Sequence, residues 1–135
     1  MIDTDEREIS AKRCAELAGI SYRQLDYWAR IGILTPSIAE AQGSGSKRLY
    51  SIEDARIARA LCAICELGAP ISGLASLVDE LALIESWEGP LFVTLAGRIG
   101  RSLEILDGAP AGAVLDLAVI AQAIEQLDAQ SEELS

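Results

Sequence analysis

Two short runs with helical spacing open the patterned part of the chain. Ala11–Ala18 follows Ser10, a residue suited to cap a helix, and stops at Gly19, suited to the left-handed turn that closes one. Ser21-Tyr22-Arg23-Gln24 then reads as a capping box, in which the serine hydroxyl takes the Gln24 amide proton and the Gln24 side chain reaches back. This second helix spans 21–31 with its cap and stops at Gly32. Two helices joined by a tight turn around Gly19 have helix-turn-helix spacing. At about 100° per residue, Leu25, Trp28 and Ala29 share one side of the second helix. Arg23, Tyr27 and Arg30 fall on the other, with Asp26 beside them. A structural helix requires only the first side. Two guanidiniums and a phenol on the second suit a helix lying in a DNA groove. A solvated face in which Asp26 pairs with Arg30 at i+4 satisfies the same pattern.

Further along, extended pieces around Leu34 and Leu49 flank a Gly/Ser-rich tip, Gly43-Ser44-Gly45-Ser46. Together they predict a β-hairpin wing over 42–50, whose glycines let the backbone approach phosphates while Lys47 and Arg48 neutralise them. Ser51 caps a third helix running to about Leu67, with Asp54 favouring its N-terminus, and a fourth follows from about Ser72 to Glu85. Beyond Pro90 the pattern changes to a strand over 91–96, a turn at Gly97-Arg98 and a return strand from Ile99 to Ile105. A strand over 113–117 and a helix from about Ala118 to Ala129 complete it. The expected fold class is mainly α with a small β component. The predicted partition is a flexible start over 1–9, a winged helix over 10–87, a small βα module over 90–129 and a flexible tail over 130–135. The module is too short to bury a good core alone, so it must pack on the first domain or on a second copy.

Charge sharpens this picture once it is resolved along the chain. The 135 residues include 11 Lys+Arg and 21 Asp+Glu, a formal charge of −10. Ile9–Ala60 holds eight basic residues against five acids, whereas Ile71–Ser135 holds two against eleven. The local field decides nucleic-acid binding, so the basic stretch keeps that reading open. The absence of His removes imidazole catalysis and the commonest metal ligand. Cys14, Cys62 and Cys65 make an odd count, read as reduced thiols buried like small hydrophobes rather than as a metal or redox site. No nucleophile–base pair or phosphate-binding loop is present, so neither an enzyme nor a cofactor is expected. The acidic start lacks the features of a secretory leader and no apolar run approaches bilayer length, so a cytoplasmic protein without membrane contact is expected.

The residues quoted above resemble the MerR family of transcription regulators over about residues 9–80. Ala15, Gly19 and Ile20 match the family's opening pattern. Leu25, Tyr27, Trp28, Gly32 and Leu34 match its recognition-helix pattern, and Arg48 with Tyr50 its wing. The strings Ser21–Arg30 and Gly43–Ser51 are similar to a branch common in actinobacteria and their phages, in which a hairpin-strand-helix tail extends the likeness to about residue 128. The resemblance implies a DNA-binding regulator acting as a homodimer on double-stranded DNA, with no effector indicated. It implies that Arg23 and Tyr27, with Arg30, face the major groove and that Ser21 and Tyr22 lie near a phosphate or base edge. Lys12, Arg13, Lys47 and Arg48 would contact phosphates, and Tyr50 would pack the wing onto the domain.

Two departures qualify the likeness. The family's recognition-helix Arg is Asp26 here, which leaves the carboxylate to accept from a cytosine amine or to orient Arg30. The long dimerisation helix of typical members is cut short by Trp87-Glu88-Gly89-Pro90, so the C-terminal module becomes the expected dimer contact, and the family's activation mechanism is not implied. A phage excisionase-like architectural protein and an interaction adaptor that has lost DNA binding are the alternative functions.

Overall fold

The computed structural model describes residues 8–38, 48–66, 74–94, 98–107 and 112–134. The mainly helical fold is observed, with two small antiparallel sheets. Strand β1 (Ile9–Ser10) leads into α1 (Ala11–Ala18), and α2 (Tyr22–Arg30) follows after three residues. Ser10 caps α1 by accepting from the Arg13 amide at 3.1 Å, and Ser21 caps α2 by accepting from the Gln24 amide at 3.0 Å. Gly19 ends α1 with φ of 75°, and a Cβ there would also lie 3.1 Å from an Arg59 guanidinium nitrogen. That guanidinium donates to the Leu17 carbonyl at 3.1 Å, answering an open acceptor in the last turn of α1.

The wing base departs from the expected hairpin. Strand β2 (Leu49–Tyr50) pairs antiparallel with β1, Ile9 opposite Tyr50 and Ser10 opposite Leu49, and not with the segment around Leu34. Ile33 and Leu34 instead fold under the end of α2, where both amides donate to the Trp28 carbonyl. Among the described residues of this segment, the Ile38 amide reaches β2, donating to the Leu49 carbonyl at 3.2 Å. The reason is burial: Ile9 and Tyr50 both close the core, so pairing their strands hides two apolar side chains. Ile9 is therefore part of the fold rather than of a flexible start. Lys47 and the predicted tip lie outside the described residues.

Helix α3 (Ile52–Glu66) runs through the centre, with Ile52, Ile57, Leu61 and Ile64 buried. Helix α4 (Leu74–Ala82) packs on it through Leu74, Leu77 and Leu81 and ends earlier than expected. The C-terminal stretch forms a sheet ordered β4-β3-β5 from β3 (Pro90–Thr94), β4 (Ile99–Gly100) and β5 (Gly112–Asp116). The predicted long return strand is corrected: β4 stops at Gly100, and Leu103–Leu106 form a 3-10 turn capped by Ser102. Ile105 folds back onto Gly100, where a Cβ would come within 2.9 Å of its Cδ1. Glycine permits that close approach, and the strand is lost to it.

Helix α5 (Leu117–Leu134) starts directly from β5 and is longer at both ends than predicted. It lies against α1 and α3, so Leu117, Ile120 and Ile124 join the same core as Leu17, Leu25 and Leu61. Trp87 anchors the crossover, its indole N–H donating to Glu53 at 3.2 Å. The chain thus spends its last helix covering its own helix-turn-helix. Among the described residues, no helix is long and apolar enough to cross a membrane.

Candidate nucleic-acid interface

The second helix divides as its periodicity dictates. Leu25 and Trp28 are buried, while Tyr22, Arg23, Tyr27 and Arg30 are exposed. Ile31, immediately past the helix, is also exposed. It lies four positions after Tyr27 and eight after Arg23, so it continues the same stripe, a placement that the helical spacing carries one residue past the end of α2. Cationic, phenolic and apolar groups along one stripe match what a major groove offers: guanine acceptors, base edges and the thymine methyl. Ser21 sits at the head of the stripe, its hydroxyl oxygen already accepting from the Gln24 amide.

The flanking cations are not equivalent. Lys12 is exposed, and among the described residues neither it nor Arg23 has an ion-pair partner. Arg13 is turned inward. It pairs with Glu16 at 3.1 Å and with Asp128 of α5 at 3.4 Å, and donates to the Leu127 carbonyl at 3.1 Å. The geometry places Arg13 in the α1–α5 contact, with its side chain still 23% exposed. Arg48 and Arg30 both contact Asp26, which joins the start of β2 to α2. That three-residue cluster spans 22 positions and was beyond the reach of sequence spacing, although its Asp26–Arg30 half is the i+4 pair expected above.

The excess acid lies largely on other elements. Glu53, Glu85, Glu88 and Glu125 line one cleft between α3, the α4–β3 connection and α5, with Arg56 and Trp87, and no residue of α2 lines it. Arg23, Tyr27 and Arg30 therefore face solvent on an element that does not border these carboxylates.

The thiols are mostly withdrawn. Cys14 is fully buried, and burial, with the Asp54 carboxylate adding to it, pushes its thiol up to about 12. Cys62 and Cys65 lie a turn apart on α3, both partly buried and both raised, chiefly by burial. Among the described residues no group of three His, Cys, Asp or Glu is placed to hold a metal ion. Burial and the raised thiol together predict that at pH 8 iodoacetamide labels Cys14 only on unfolding, as followed by peptide mass spectrometry. Labelling in the native protein at the rate of a free thiol would contradict this placement.

The sequence profile described as MerR HTH family regulatory protein matches residues 9–81. Over 66 residues the chain is 44% identical to uncharacterized HTH-type transcriptional regulators of Mycobacterium tuberculosis and Mycobacterium bovis. The match covers 49% of this chain and 29% of each relative, so the chain aligns with under a third of their length. The capped helix pair, the strand at the wing base and a profile match over more than half the sequence lead to one assignment: the chain belongs to the MerR HTH family of regulatory proteins.

Proposed function

We propose that the chain is a sequence-specific DNA-binding transcriptional regulator, with α2 entering the major groove and the wing on the adjacent backbone. The observation that carries this reading is the exposed stripe of Arg23, Tyr27 and Arg30, continued by Ile31 just past the helix end, on a helix whose opposite side is locked into the core by Leu25 and Trp28. Arg23 and Tyr27 read base edges in this scheme. Lys12 and Arg48 hold phosphates, and Lys47 joins them from the wing.

Self-association through the βα module belongs to the same reading. One short helix reads only a half-site, and two-fold pairing of modules extends the sequence that is read. In support, among the described residues β5 is an edge of its sheet, and Val114 on it and Val119 in the first turn of α5 are exposed. Apolar side chains at a strand edge favour pairing with another strand.

Selection of bound sequences from a random duplex pool tests the assignment. A palindromic consensus is expected, protected as a single site. Cooperative coverage of several adjacent sites would identify an architectural role instead, and no enrichment would leave the adaptor reading. On the selected site, Arg23→Ala should weaken binding by about 1–3 kcal/mol and relax one base position. Unchanged affinity in a titration at fixed salt would remove Arg23 from the reading face.

A further inference from the structure

Asp26 is the sole acid in Tyr22–Arg30. A carboxylate on a helix that faces phosphates opposes binding unless it serves another purpose. Its two oxygens are divided between two cations. Oδ2 takes Arg30 Nη2 at 2.8 Å, and Oδ1 takes Arg48 Nη1. Arg30 is the last residue of α2, one turn further along, whereas Arg48 immediately precedes β2. The Asp26 and Arg48 side chains are 22% and 23% exposed, and Arg30 is 63% exposed. One limb of the cluster is therefore partly buried between α2 and the start of β2, and the other reaches solvent.

A carboxylate that merely lowered the charge of the face would pair with its i+4 neighbour and nothing more. Reaching across to the wing base is the added feature. Each guanidinium carries five N–H donors in a rigid fork, and the Asp26 contacts leave several of them on each. Without the shared anion the two cations would repel each other, and both long side chains would regain rotamer freedom.

We propose that Asp26 is a positioning residue that locks the wing base to the recognition helix. Arg30 and Arg48 then offer their remaining donors to the DNA backbone in a fixed relation to Arg23 and Tyr27. This inference rests on the DNA-reading assignment above. It makes Asp26 a source of discrimination: the correct site satisfies backbone and base contacts together, whereas unrelated duplex uses only the charge. The net charge of the cluster is +1, enough to retain phosphate attraction while the geometry is held.

The test compares Asp26→Asn and Asp26→Glu with the wild type on the selected duplex and on an unrelated duplex, across a range of salt. Asp26→Asn should reduce the ratio of selected to unrelated affinity by about tenfold, because it uncouples residues that act as a unit. Binding to the unrelated duplex should hold or rise, since a negative charge has been removed. Asp26→Glu keeps the charge and should stay within about threefold of the wild-type ratio. Equal tightening on both duplexes by Asp26→Asn would overturn the proposal and leave Asp26 as a charge alone.

A second measurement needs no DNA. Limited trypsin digestion should cut the Arg48–Leu49 bond about tenfold faster in Asp26→Asn, because the Arg48 side chain and the wing base are released together. Cleavage after Arg98, remote in sequence from the cluster, serves as the control for general loosening. Equal rates at Arg48 in both proteins would refute the lock. A wild-type chain that selects no sequence would defeat the DNA-reading assignment, and the digestion would then judge the lock separately.

Discussion

Trp28→Ala is expected to cost about 3–5 kcal/mol of folding stability and to abolish the proposed specific binding, although the indole faces away from the exposed stripe. Trp28 is 2% exposed and belongs to the common core with Leu17, Leu25 and Leu61. Its carbonyl also receives the Ile33 amide at 2.9 Å and the Leu34 amide at 3.3 Å, so the same residue directs the chain out of α2. Truncation removes the ring's dispersion contacts and leaves a cavity that the short helix α2 cannot fill by sliding, because Ser21 and Gly32 fix its two ends. Domains of this size are stable by about 5–15 kcal/mol, so such a loss depopulates the folded form appreciably. Urea unfolding should show a lowered midpoint at unchanged slope. Trp28→Tyr, which retains a ring, should lose much less. A loss below about 1 kcal/mol for the alanine variant would show that α2 is not anchored this way.

Asp54→Ala is the second large effect, expected at about 2–4 kcal/mol. Asp54 is 4% exposed, and its Oδ2 accepts from the Ser51 amide at 2.9 Å, the Ser37 amide at 3.0 Å and the Ser37 hydroxyl at 2.7 Å. Ser51 reciprocates by accepting from the Asp54 amide at 3.0 Å. One carboxylate thus completes the cap of α3 and pins the segment that follows α2 at Ser37. Alanine strips an acceptor from three donors at once, and the Ser51 amide is left in a buried setting without that partner. Asp54→Asn preserves the shape and one acceptor oxygen, so its loss should be roughly half as large. Chemical denaturation of both variants measures the difference, and equal stability of wild type and Asp54→Ala would dismiss the hub.

Local devices were legible because they depend on residues three or four positions apart. Ser10, Gly19 and Ser21 mark the helix ends correctly, since capping is a contact within one turn. The sides of α2 follow from the same short period, which is why Arg23, Tyr27 and Arg30 were placed together on the exposed side. Spacing marks Asp54 as a helix-start residue but carries no sign of its hold on Ser37, 17 positions earlier. The return strand failed because β propensity from Ile99 to Ile105 says nothing of Ile105 packing onto Gly100.

From its residues alone, this protein was determined to have a capped helix pair with an inward apolar side and an outward cationic side, since local hydrogen bonds and periodicity dictate both. Tertiary structure decided which cations remain outward: Asp128 draws Arg13 against α5, while Asp26 gathers Arg30 and Arg48 at the wing base. It also decided that β2 pairs with Ile9–Ser10 and that α5 closes over α1 and α3. These outcomes depend on which distant surfaces bury the most apolar area and which charges then come within reach, and neither quantity exists until the chain has folded.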